Sequence, residues 1–103
     1  MYARLTTFRV KPDKIGDMLR WRQENEAAIY AQPGLREWLG LLDEEGEVFV
    51  VSLFDNEQAA RDSMPQVWAL WEQMAPMLQG KPAARFLDVM AAQSFAPQGA
   101  ASA

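Results

Sequence analysis

Val48-Phe49-Val50-Val51-Ser52-Leu53-Phe54 is the stretch that decides the architecture. It is rich in β-branched and aromatic residues and holds no breaker, so it reads as a strand. Successive side chains on a strand point to opposite faces, and a sheet wetted on one side alternates apolar with polar residues. This strand does not alternate. Val48, Val50 and Phe54 share one face with Ser52 as the sole polar member, while Phe49, Val51 and Leu53 share the other. Both faces therefore need cover.

On its N-terminal side, Asp43-Glu44-Glu45-Gly46 reads as a polar hairpin turn back to a strand over 35–42. Pro33-Gly34 separates that strand from a helix over 14–31, because a residue before proline is pushed out of the helical region. Lys11-Pro12-Asp13 ends a first strand over 2–10, and Asp13 is the expected helix N-cap. On its C-terminal side, Asp55 or Asn56 caps a second helix that Pro65 splits in two. That helix closes near Leu78, and Arg85 to Met90 forms a fourth strand. Residues 1–90 are expected to be one domain, with 91–103 as a C-terminal tail low in apolar content.

The order βαββαβ predicts an α+β, ferredoxin-like sandwich: one antiparallel sheet with both helices on one face. The helices can cover only that face. A second copy of the sheet is the simplest cover for the other, which predicts a homodimer; the rival is a monomer in which the tail buries the strand.

Composition removes several functions. The 103 residues carry a net charge of −4, and the ten basic residues are scattered, which disfavours nucleic acid and anionic membrane as partners. No cysteine is present, so there is no disulfide, thiolate nucleophile or sulfur-based zinc site, and no metal is expected. No histidine is present either, so acid–base work falls to a carboxylate, lysine or tyrosine. The start, Met1-Tyr2-Ala3-Arg4, shows no signal-peptide pattern, and a cytoplasmic protein is expected.

Two helical faces could carry chemistry. On the second helix Ala60, Met64, Val67, Trp68, Trp71, Met74, Ala75 and Leu78 form an apolar stripe. Its tryptophans either fill the core or wall an aromatic ligand, with Met64, Trp68 and Trp71 as pocket residues. On the first helix Ile15, Met18, Leu19 and Ile29 define the apolar side, and Arg22 and Glu26 project from its middle with Asn25 at the flank. A charge among core positions needs a partner, and residues four apart can pair. Arg22 and Glu26 are thus expected to face the sheet together, either as a structural ion pair or as the charged lining of a cavity. Thr6, Thr7, Ser52 and Asp88 are weaker candidates on the strands.

Thr7-Phe8-Arg9-Val10-Lys11-Pro12, the helix closing on Gln32-Pro33-Gly34-Leu35, and the run from Val48 through Asp55-Asn56-Glu57-Gln58-Ala59-Ala60 into a Pro-split helix resemble the antibiotic biosynthesis monooxygenase-like domains. The resemblance covers residues 2–90. It implies a ferredoxin-like unit that pairs sheet to sheet as a dimeric α/β barrel and binds small aromatic molecules between sheet and helices. It further implies oxygenation of an electron-rich aromatic or quinol-like substrate without a cofactor, with Glu26 as base and Arg22 steadying the phenolate. Haem degradation is not expected. That branch combines a first-strand asparagine with a histidine on the second helix, and Asp62-Ser63-Met64 stands where many relatives carry the histidine. The alternative is a non-catalytic homodimeric domain that binds a small hydrophobic ligand or serves as a structural module.

Overall fold

The computed structural model describes residues 1–97. Strand β1 (Tyr2–Arg9) leads through a 3₁₀ turn (Pro12–Lys14) into helices α1 (Ile15–Glu24) and α2 (Glu26–Tyr30). The hairpin β2 (Leu35–Leu42) and β3 (Glu47–Phe54) follows, then helices α3 (Glu57–Asp62) and α4 (Met64–Met74), a 3₁₀ turn (Ala75–Met77) and strand β4 (Ala83–Asp88). Every strand pairing is antiparallel and the order is β2-β3-β1-β4. The fold is the ferredoxin-like βαββαβ arrangement, with the two central strands β3 and β1 joined through neither hairpin nor edge.

The punctuation follows from local chemistry. In the β2–β3 turn the Asp43 carboxylate accepts from the backbone N–H of Glu45 at 2.9 Å and of Glu47 at 2.8 Å. Gly46 takes φ +89°, and a Cβ there would sit 3.0 Å from the Val10 carbonyl oxygen. Asn56 is the cap of α3, its Oδ1 accepting from the Ala59 N–H at 2.8 Å. Asp13 caps nothing: Pro12 starts a 3₁₀ turn that takes Asp13 into its interior, and neither this turn nor α1 has a side-chain cap bond. The predicted helix over 14–31 is likewise broken at Asn25, whose side-chain amide donates to the Trp21 carbonyl at 2.8 Å. The second helical segment splits at Ser63, two residues before Pro65.

Strand register assigns the faces. Across one face run Trp38–Ser52–Arg4–Phe86, then Gly40–Val50–Thr6–Ala84, then Leu42–Val48–Phe8. This face meets the helices, and Phe8, Val10, Val48 and Val50 pack there with Met18, Met74 and Leu78 as the core. Across the other run Glu37–Leu53–Ala3–Leu87, Leu39–Val51–Leu5–Arg85 and Leu41–Phe49–Thr7–Ala83. No element of the described chain covers it. Leu39 is 54% exposed and Leu41 47%. No helix or strand follows Asp88 among the described residues, and the last part of the expected tail, 98–103, lies outside them. No helix among the described residues is long and apolar enough to cross a membrane.

Candidate functional site

The covered face does not pack solid. A cavity of about 290 Å³ lies between sheet and helices, floored by Arg4, Thr6, Phe8, Val48 and Val50. Met18, Trp21 and Arg22 of α1 and Val67, Leu70, Trp71 and Met74 of α4 roof it. Its volume sits at the small end of the ~300–1,000 Å³ range of ligand sites, room for a flat molecule of a few fused rings.

Strand β2 closes one side with Trp38, and the way it does so explains an odd glycine. A Cβ on Gly40 would lie 2.9 Å from the Trp38 indole, so the ring can lie over the strand only because residue 40 has no side chain. Tyr30 meets Trp38 edge-on at 5.5 Å between centroids. Arg22 reaches the same group: its Nη1 donates to the Tyr30 hydroxyl at 3.2 Å and its guanidinium lies 6.0 Å from the Trp38 ring centroid. Half-buried, it stands at the edge of the cavity with an aromatic face beneath it.

A second guanidinium sits deeper. Arg4 is 2% exposed and bonds three neutral oxygens: Ser63 Oγ at 2.5 Å, Gln32 Oε1 at 3.1 Å and Ser52 Oγ at 3.3 Å. Each acceptor is itself fixed or buried. The Gln32 amide donates to the Ile29 carbonyl at 2.7 Å and the Ser63 hydroxyl to the Ala60 carbonyl at 2.6 Å. The Phe54 ring lies 5.2 Å from the guanidinium carbon. Burial depresses the Arg4 pKa from the ordinary arginine value to about 10, since desolvation penalises the charged form.

Only part of the expected site assembles here. Arg22 and Trp71 line the cavity; Glu26, Asn25, Met64 and Trp68 do not. Glu26 is exposed and makes no ion pair with Arg22, whose partners are Tyr30 and Trp38. The reason is the break at Asn25: the rotation of about 100° per residue that would stack Glu26 beneath Arg22 holds only along an unbroken helix. Trp68 is 55% exposed because it lies about 100° round from Val67, at the margin of the α4 stripe, and Leu70 takes the inward place. Trp21, Trp38 and Arg4 line the cavity without having been singled out in the sequence. Gly40 inside an otherwise apolar strand was the available signal for Trp38.

No protein-family model matches the chain, and no curated protein does. Solved structures do. A protein of unknown function from Nitrosomonas europaea superposes with a TM-score of 0.78 at 18% identity, covering 93% of this chain and 95% of its own. An antibiotic biosynthesis monooxygenase follows with a TM-score of 0.72 at 13% identity, over 88% of this chain and 100% of its own. A monooxygenase from Streptomyces coelicolor, solved in complex with the ligand nanaomycin D, gives 0.73 at 22% identity, over 92% of each chain. The fold is that of an antibiotic biosynthesis monooxygenase-like domain. At these identities the likeness is one of fold. The cavity, its tryptophans and its two arginines are features of this chain itself.

Proposed function

We propose that the chain is a small-molecule enzyme of the cofactor-independent monooxygenase type, acting on an electron-rich aromatic or quinol-like substrate held between sheet and helices. The observation that carries the proposal is the meeting of three indoles, Trp21, Trp38 and Trp71, around one mainly apolar cavity. Flat aromatic walls favour a flat aromatic guest through area burial and ring–ring contact. A monooxygenase of the same fold was solved with a bound ligand, which supports a small-molecule role.

The chemistry needs no external reductant. An electron-rich ring, once deprotonated, gives electrons to O₂ directly. A ring CH₂ becomes C=O, the second oxygen atom leaves as water with the two hydrogens, and the substrate supplies all four electrons. The protein's share is a dry enclosure and a cation for the developing phenolate, which Arg22 at the cavity edge can provide. Among the described residues the lining contains no carboxylate and no tyrosine, so the proton leaves to water and the substrate must be acidic in its own right. That same observation favours the second reading, a domain that binds such a ligand without turning it over.

The open face of the sheet completes the proposal. Leu5, Leu39, Leu41, Phe49, Val51 and Leu53 lie on it together, and charge is kept to its margins, as in the Arg9–Glu47 pair at 2.9 Å. We propose that a second copy covers it, closing a dimeric α/β barrel, and that the protein works in the cytoplasm. Oxygen uptake with an anthrone-type phenol, measured above its autoxidation, tests the enzyme reading. Uptake lost in Trp71→Ala supports it; saturable binding without uptake leaves the binding domain; neither binding nor uptake ends both.

A further inference from the structure

We infer that Arg4 makes the deep end of the cavity an anion subsite, so that the ligand carries a carboxylate on its aromatic frame, apart from the phenol oxygen that meets Arg22 at the cavity edge. This rests on the cavity being a ligand site, as proposed above. The first observation is a charge without a counter-charge. Arg4 is 2% exposed, and among the described residues no carboxylate lies within salt-bridge distance of it. A buried charge with only neutral partners is costly, and native proteins pair such groups unless a ligand does so.

The second observation is that the hydrogen bonding is incomplete. Arg4 Nε has no partner, and it is the sole buried side-chain nitrogen or oxygen among the described residues left so. The bonds from Nη2 to Gln32 at 3.1 Å and to Ser52 at 3.3 Å are at the long, weak end of the N–H···O range. An incoming anionic oxygen can displace them for a shorter, charge-assisted bond. The third is position: Arg4 is part of the cavity floor, one row along the sheet from Thr6. Its neutral holders fix where the charge sits without cancelling it. Arg22, by contrast, is half-buried and already engaged by Tyr30 and Trp38, so it belongs to the entrance.

The test is a matched pair of probes, naphthalene-2-carboxylate and the neutral naphthalene-2-carboxamide, titrated calorimetrically at neutral pH into the wild-type chain, Arg4→Met and Arg22→Met. The wild type should bind the acid about tenfold or more tighter than the amide, the scale of a desolvated charge pair. Arg4→Met should hold both at the amide's affinity, and Arg22→Met should keep the preference. Equal affinities in the wild type, with binding of both, would overturn the anion subsite and leave the aromatic cavity standing. Binding of neither would overturn the cavity reading and the subsite with it. Should Arg4→Met fail to fold, Arg22→Met still decides: preference kept supports Arg4, and preference lost transfers the role to Arg22.

Discussion

Val50 and Val51 are neighbours in one strand, yet they inhabit different molecules in effect. Val50 floors a cavity beneath the helices, one row from a buried arginine; Val51 stands on an apolar plane that no part of the described chain covers. The covered face mixes apolar walls with Arg4, Thr6, Ser52 and Trp38, and it leaves space. The open face is plain aliphatic and aromatic surface with its charges at the rim. A surface meant for another protein copy wants flat apolar area with little desolvation cost, whereas a small-molecule site wants a few buried polar groups in an apolar shell. The two faces differ in that way.

The adjacent pair offers the strongest way to break this contrast. Val50→Asp should prevent folding, because an unpaired buried carboxylate costs several kcal/mol against a total stability of ~5–15 kcal/mol. Circular dichroism would show it. Val51→Asp should leave the far-ultraviolet spectrum intact and halve the sedimenting mass. A Val51→Asp chain that still sediments as a dimer would remove the sheet-to-sheet pairing.

Next in size is Trp71→Ala. Trp71 is half-buried against the core, so its loss should cost about 2 kcal/mol, less than the ~3–5 kcal/mol of a fully buried aromatic, and abolish aromatic binding. Denaturant titration and calorimetry together check both halves. Unchanged binding would mean that the cavity is not the site.

A smaller effect with an unusual sign is expected at Arg4. Replacing an uncompensated buried cation with methionine should raise stability by about 1 kcal/mol at neutral pH. The pH dependence follows from its depressed pKa, about 10 in the fold and below that of a solvated arginine. Above pH 10 the folded chain gives up the proton that the unfolded chain still holds, so the Arg4 penalty is full below pH 10 and fades as pH rises towards the ordinary arginine value. The advantage of Arg4→Met over wild type should shrink across that window. An advantage that grows instead would contradict the burial of a lone charge. Smallest of all, Glu26→Gln should change neither binding nor turnover, since the exposed carboxylate is outside the cavity.

How much of this was legible in the sequence follows a physical line. The strands, the hairpin and the two-sided β3 were readable because period-2 patterning and Gly or Pro punctuation act locally. The split before Pro65 was readable for the same reason. The site was less so. Helical projection placed Glu26 beside Arg22, and it failed at one residue, Asn25, where the helix breaks. It set Trp68 inside the stripe when a rotation of a third of a turn carries it out. Arg4 was hidden because its partners Gln32, Ser52 and Ser63 come from three distant segments, 28 to 59 residues away, and only the folded sheet brings them together.

The claim at the centre is that the covered face holds an aromatic ligand among Trp21, Trp38 and Trp71. Its most direct measurement is indole fluorescence during titration with a flat polycyclic phenol under argon, in wild type, Trp68→Ala and Trp71→Ala. The account predicts saturable quenching at one ligand per chain, kept in Trp68→Ala and abolished in Trp71→Ala. Quenching that rises without saturation, or that is equal in all three chains, would contradict it.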